Sequence, residues 1–284
     1  MNNISALTLN YRDPDRTTTC VRNLLVEGAH HVLVWDNSDD GGLSVLALTQ
    51  RFINEARVSV VDAKANLGFS AGVNRGLEWL HEKYPTHVVV LLNNDASLEP
   101  GALHALQQAL CSVPGALVAF PDIDHGGWIR GKVYYHRLTG LISDAALPGS
   151  FLYASGCCLA FAPHVCSSKV FDEDFFMYGE DWALGWRLAQ QHPGSLLHVP
   201  RLLVRHEGSA SSKMGSPFYE SRVVAAHLII ARKLSRSTID GLLVKFLHGT
   251  WLAVRAFVRS IRRGSMVPLG ALLEGRRIAT LTRP

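Results

Sequence analysis

His87-Val88-Val89-Val90-Leu91-Leu92-Asn93-Asn94-Asp95 contains five consecutive apolar residues that stop on two amides and an acid. An apolar run this short and unbroken reads as a strand covered on both faces, the condition of a largely parallel sheet between helices. Working outward, similar runs over residues 4–9, 31–35 and 57–61 also end on polar residues: Asn10, Asp36-Asn37 and Asp62. Residues 17–28, 42–55 and 70–82 read as the intervening helices, the last with Val73, Leu77 and Leu80 at helical spacing. Strand and helix in alternation predict an α/β fold, and ligands of such sheets bind beyond the carboxyl ends of the strands. The polar strand ends therefore predict one site assembled from several loops.

Composition narrows what that site serves. The 284 residues are 48% hydrophobic and 18% charged, enough apolar material for a large core without staples. A formal net charge of +4 is too small to imply nucleic-acid binding unless it is concentrated, and it is concentrated in the C-terminal tail. The five cysteines are odd in number and lack C-x-x-C spacing, so they read as reduced thiols of a cytoplasmic protein. The N-terminus has no basic and apolar leader pattern, so export is not expected, and a spanning helix is not expected either. Residues 121–150 are Gly-rich and irregular, and read as a mobile insertion or short strands rather than a second core.

Four segments carry chemistry. Asn66-Leu67-Gly68-Phe69-Ser70-Ala71-Gly72-Val73-Asn74-Arg75-Gly76 links a strand to a helix; its glycines and the helix N-terminus suit a diphosphate, and equally a Gly-containing turn with an Asn or Ser cap. Asp95 places a hard oxygen ligand at the lip of the site, where a divalent cation would bridge it to phosphates. In Phe171-Asp172-Glu173-Asp174-Phe175-Phe176-Met177-Tyr178-Gly179-Glu180-Asp181-Trp182, two acids open a helix beside aromatic residues. Acids there complement a helix dipole, but a carboxylate held by aromatic walls also gains the proton affinity of a general base. The fourth segment, Val204-Arg205-His206-Glu207-Gly208-Ser209, offers one histidine after a strand.

Taken in order, these segments resemble the inverting family 2 glycosyltransferases of GT-A fold, and most closely their rhamnosyltransferase-like branch. The resemblance spans about residues 4 to 233 and rests on NLGFSAGVNRG, LLNNDA and FDEDFFMYGEDWALGWRL. It implies a Rossmann-like mixed sheet flanked by helices, a catalytic domain over 1–215 and a helical, basic, amphipathic region over 216–284. It further implies that Asn10, Asp36, Asn66, Gly68, Asn93 and Asn94 line the nucleotide, with Asp36 facing the base. Asn93-Asn94-Asp95 stands where the family has its DxD motif, so Asp95 would ligate Mg2+ or Mn2+ while Asn93 replaces an acid; His206 would complete the metal site. Asp181 matches the catalytic base, and Ser155, Gly156, Glu180 and Trp182 fall at the acceptor side. Where many relatives have a further acid, this chain has Ala183. Cys157 and Cys158 read as buried packing residues.

The implied reaction moves a sugar, dTDP-L-rhamnose being the first candidate donor, to a hydroxyl of a glycan or lipid-linked glycan in surface polysaccharide synthesis. Two rivals share the fold. A nucleotidyltransferase would need a Gly-rich Arg/Lys signature after the first strand, where Asn10-Tyr11-Arg12-Asp13-Pro14 stands, and a non-catalytic sugar-nucleotide or glycan-binding scaffold would not need Asp95, Asp181 and His206 together. In the tail, Lys245, His248, Arg255, Arg259, Arg262 and Arg263 fall within an arc of about 100° on a helix, and Phe246, Trp251, Val254, Phe257, Val258 and Ile261 fill most of the rest. That pattern suits a helix lying peripherally on the inner face of the plasma membrane, basic face toward anionic headgroups, or one packed on the catalytic domain or on a second copy of the chain.

Overall fold

A computed structural model describes residues 3–207 and 215–282. The chain runs β1 (Ile4–Asn10), α1 (Pro14–Val26), β2 (His31–Asp36), α2 (Leu43–Arg51), β3 (Val58–Asp62), α3 (Gly68–Lys83), β4 (Val88–Leu92), β5 (Ala96–Leu98) and α4 (Ala102–Ser112). It continues through β6 (Val118–Asp124), β7 (Ile129–Arg130), β8 (Val133–His136), β9 (Ile142–Ser143), β10 (Ser150–Tyr153), β11 (Cys158–Phe161), α5 (Glu180–Gln191), β12 (Leu196–His206), α6 (Pro217–Lys233), α7 (Thr238–Arg263) and α8 (Val267–Leu281). The four early strands and three helices lie where the periodicity predicts them. The α2 helix ends four residues early, at Arg51, and α1 starts three residues early, at Pro14, because Asp13 accepts a hydrogen bond from the Arg16 N–H and proline suits the first helical position.

The main sheet has the order β3-β2-β1-β4-β11-β6-β12-β5, with β7 paired to β6. Its first four strands are parallel, while β11 enters antiparallel between β4 and β6, so the sheet is mixed. Burial on both faces explains the unbroken apolar runs. In β4, Val88, Val90 and Leu92 join the core on one face, whereas Val89 and Leu91 join the other.

Residues 121–150 hold short strands, one of the two forms expected, but they differ from expectation in joining a further core. A second sheet, β10-β8-β9, turns Val133, Tyr135, Phe151 and Tyr153 into a third core together with Phe175, Trp182 and the apolar face of α6. Alternation over strands this short is hidden among glycines and polar residues, and the partners that bury it lie far along the chain.

The tail also differs. The centre of the basic arc of α7 is turned inward: His248 is buried against the carbonyls of His227 and Arg137, Arg255 bonds His227 at 3.2 Å, and Arg259 and Arg263 both bond the buried Glu220 of α6, while Lys245 and Arg262 at the edges of the arc stay exposed. The face left outside is the apolar one, with Ile239, Leu242, Phe246, Phe257 and Ile261 all exposed. Most of the arc expected to meet headgroups, Arg255, Arg259 and Arg263, is thus committed to the fold, because α6 supplies the imidazole and the acid that satisfy it. Contrary to the sequence expectation, α7 is long and apolar enough by length and composition to cross a membrane, with mean hydropathy 1.3 over its most apolar 18-residue window.

Candidate active site

Polar residues at the carboxyl ends of β1 and β2 form a bonded chain. Asn10 donates from Nδ2 to Asp36 Oδ1 at 2.6 Å and to Ser38 Oγ at 3.2 Å, and Ser38 donates to the same Asp36 oxygen at 2.7 Å. Thr17 on α1 donates to Asn10 Oδ1 at 2.6 Å and receives Asn94 Nδ2 at 3.0 Å. Asn10, Asp36 and Asn94 are therefore brought together as expected, with Thr17 and Ser38 as connecting residues that sequence reading missed. Asp36 is buried and its Oδ2 has no hydrogen-bond partner. Burial raises its proton affinity, which the bonds from Asn10 and Ser38 oppose.

The turn at Asn66 is a wall of the site. Asn66 Oδ1 accepts from the Gly68 N–H at 3.0 Å, and the Phe69 N–H donates to the Phe176 carbonyl at 2.7 Å, so the first two amides of α3 are already bonded, as in the Asn-capped glycine turn that the sequence offered beside a diphosphate cradle. Gly68 has φ +78, and a Cβ there would collide with Phe176, which is what requires glycine at this crossing. Asn74 then ties the two motifs together: its Nδ2 donates to the Phe171 carbonyl at 2.8 Å, and its Oδ1 accepts from Val170 and Phe171.

Beyond β4, Asp95 meets His206. The antiparallel register of β5 and β12 sets His206 opposite Ala96, and His206 Nε2 lies 3.0 Å from Asp95 Oδ1. On the other side of the ring, His206 Nδ1 lies 3.0 Å from Nδ1 of His125, a residue the sequence reading did not single out. Gly208 and Ser209 of this motif lie outside the described residues. Among the described residues no group of three or more His, Cys, Asp or Glu side chains is arranged to hold a metal ion. One carboxylate oxygen and one imidazole nitrogen still fit a divalent cation that takes its remaining ligands from phosphates and water.

Ser155 and Gly156 connect this edge to α5. The Asn93 N–H donates to the Cys157 carbonyl at 2.9 Å, and the Cβ position of Gly156 lies 4.0 Å from Glu180 Oε1. Cys157 and Cys158 are buried packing residues, with thiols pushed up by burial. At the head of α5, Gly179 at φ +92 packs against Phe175 and Ala226 and sets the sharp entry into the helix. Asp181 accepts the Trp182 N–H at 2.8 Å, and Trp182 is buried against Tyr135 and His227. Surrounding protein pushes Asp181 up to about 7, against the pull of that N–H. Glu180 is buried with Oε2 unpartnered, and its proton affinity is raised by burial and then by the charge of Asp181. A cleft lined by Asp172, Arg187 and Lys233 lies in the seam of α5 and α6 and contains none of these residues.

Known proteins resemble this chain in sequence and in fold. The family model described as glycosyl transferase family 2 matches residues 5–166. The chain is 26% identical over 294 aligned positions to the N-acetylglucosaminyl-diphospho-decaprenol L-rhamnosyltransferase of Mycobacterium tuberculosis, covering 89% of this chain and 92% of that protein. It is similar in fold to the crystal structure of GalNAc-T7 with UDP, GalNAc and Mn2+, with TM-score 0.57, 12% identity and coverage of 80% of this chain and 47% of that one. It is also similar to S. aureus TarS, with TM-score 0.52, 12% identity and coverage of 86% and 42%. The chain spans less than half the length of either solved structure, and the likeness to them is one of fold: the mixed sheet with flanking helices is GT-A.

Proposed function

This chain belongs to glycosyl transferase family 2, and from that premise we propose that it transfers a sugar, with inversion, from a nucleotide-diphosphate donor to a hydroxyl of a lipid-linked glycan in surface polysaccharide synthesis. The observation that carries the reading is Asp181, a carboxylate at the head of α5 whose affinity for a proton is raised to about 7 by its surroundings. A base poised near neutrality takes the acceptor's hydroxyl proton as the oxygen attacks the anomeric carbon from the face opposite the leaving diphosphate. Inversion is complete in that single displacement, so no covalent nucleophile is needed.

The remaining roles follow the chemistry of each group. Asp36 keeps a buried acceptor oxygen for a donor N–H of the base, held in place by Asn10 and Ser38. Asn66, Gly68, Asn93 and Asn94 flank the nucleotide, and Ser155, Gly156, Glu180 and Trp182 flank the acceptor. Asp95 and His206 would hold Mg2+ or Mn2+, which supplies neutralisation of the leaving diphosphate. The rhamnosyltransferase relative supports L-rhamnose as the sugar moved and a polyprenyl-diphosphate-linked acceptor, and dTDP-L-rhamnose is the donor we put first.

A lipid-linked acceptor also gives the outer face of α7 a purpose. Residues 216–284 hold twelve Lys and Arg against three Asp and Glu. On α7 itself Lys245 and Arg262 are exposed beside Phe246 and Ile261 of an apolar ridge that also holds Phe257. The enzyme would lie on the cytoplasmic face of the membrane with this ridge in the acyl boundary and these cations at the headgroups.

The test is transfer from dTDP-L-rhamnose to a short polyprenyl-diphospho-N-acetylglucosamine, with the anomeric configuration of the product read by NMR. Inverted product, dependent on Asp181, is expected. Retained configuration, or hydrolysis of the nucleotide without transfer across a panel of sugar nucleotides, would overturn the reading.

A further inference from the structure

His125 lies in a fixed hairpin. β6 runs parallel to β12 with Asp124 opposite Arg205, so the next residues along the two strands, His125 and His206, emerge side by side at the carboxyl edge of the sheet. The hairpin to β7 is closed by the His125 N–H donating to the Trp128 carbonyl at 2.9 Å and by Asp124 Oδ1 accepting the Gly127 N–H at 2.6 Å. The two imidazoles meet edge to face, with ring centroids 5.0 Å apart.

We propose that His125 is a positioning residue for His206, bonding its Nδ1 so that Nε2, beside Asp95, is the nitrogen offered to the cation. The inference rests on the reading of Asp95 and His206 as the cation's side-chain ligands. A neutral imidazole gives a lone pair from one nitrogen only, and its proton then sits on the other, where it needs an acceptor. His125 Nδ1 stands at that place, 3.0 Å away. Without a cation the pair runs in reverse: His206 Nε2–H donates to Asp95 and Nδ1 accepts from His125. An imidazole nitrogen donates in one tautomer and accepts in the other, so His125 serves both states by carrying its own proton on Nδ1 or on Nε2, which a carboxylate or a guanidinium in this position does not. The bonds to Asp95 and His125 leave from opposite nitrogens of the ring, so His125 stands outside the cation's own shell and acts through His206.

The experiment measures Mn2+ binding to the full chain by loss of the free-ion electron paramagnetic resonance signal, alone and with thymidine diphosphate. His125→Leu should weaken Mn2+ binding by about 10- to 100-fold, the scale of lost outer-shell partners. His125→Asn, which returns an amide near the Nδ1 position, should recover most of it. Nitrogen-15 shifts of the His206 ring with Mg2+ should show the proton on Nδ1 in the parent and lose that preference in His125→Leu. Unchanged Mn2+ affinity in His125→Leu, or equal loss in the Leu and Asn variants, overturns the proposal. If His125→Leu does not fold, His125→Asn decides: retained affinity supports the role and lost affinity refutes it. Mn2+ binding that ignores both Asp95→Ala and His206→Ala would instead overturn the metal reading on which the proposal rests.

Discussion

Asp181 and Asp240 each stand in the first turn of a helix, one opening α5 and the other α7, and their surroundings drive them in opposite directions. Asp181 is pushed up to about 7 by burial with only the backbone N–H groups of Trp182 and of Asp181 itself to compensate, whereas Asp240 is pulled down to about 2 by Arg137, which bonds it at 2.7 and 2.9 Å, and by the Arg236 N–H. The same contrast holds around each. Near the sheet edge Asp36 and Glu180 keep buried oxygens without partners, while in the seam of α6 and α7 Glu220 receives both Arg259 and Arg263. A carboxylate that the fold has fully paired is structural, and one left buried and under-bonded is held for a ligand or a proton.

The sharpest way to break this contrast is at Asp181. Asp181→Asn keeps the shape and the bond from Trp182 but accepts no hydroxyl proton, so turnover should fall by about two to four orders of magnitude with donor affinity nearly intact. Near-parental turnover would move Asp181 to the structural class. In the parent, activity should rise with pH along a limb near 7 that belongs to the Glu180 and Asp181 pair. The effects on stability have opposite signs. Because the folded state binds the Asp181 proton more tightly than the unfolded chain, ionising this group between about pH 4 and 7 costs stability. Asp240 contributes stability above the ordinary carboxylate range, and that contribution is lost as pH falls toward 2. Urea unfolding between pH 2 and 8, on the parent and on Asp181→Asn and Asp240→Asn, separates the two.

Next in size is Glu220. Glu220→Gln leaves Arg259 and Arg263 without their shared anion in a seam where the Glu220 side chain is 5% exposed. Breaking a buried pair costs about 3–5 kcal/mol, and the 35% exposure of Arg263 points to the lower end. A loss below about 0.5 kcal/mol in urea unfolding would class this contact with surface ion pairs.

These two regions also differ in how far they could be read from the chain. The sheet edge was legible because each early strand is a short apolar run ended by its functional residues, so the order along the chain became an order of loops in space. Asp95 was legible as the acid that ends a buried strand and His206 was joined to it through family resemblance, but their contact depends on the register of β5 and β12. Thr17, Ser38 and His125 were missed because each is an ordinary residue until a strand end is laid beside it. In α7 the helical wheel correctly separated a basic arc from an apolar one. It could not say which arc faces inward, since that depends on Glu220 and His227 in α6. The usual assumption that charge faces water chose the wrong side.

That inversion sets the last and smallest effect, at the membrane. With Arg255 and Arg259 bonded into the seam, reversing them to Glu would unfold the tail rather than probe headgroups. The informative variants lie on the outer face. Phe246→Ser with Phe257→Ser removes two side chains that are 70% and 59% exposed, and should weaken binding to vesicles of anionic lipid about equally at low and high salt, because it removes apolar burial. Arg262→Glu should weaken binding less, by roughly 1 kcal/mol for the lost cation and about as much again for the added anion, and this effect should fade as salt screens the surface. If the double Ser variant leaves vesicle binding unchanged but converts a dimeric parent to a monomer, the ridge is covered by a second copy of the chain. The under-bonded edge would then be the only one of the two regions that faces a ligand.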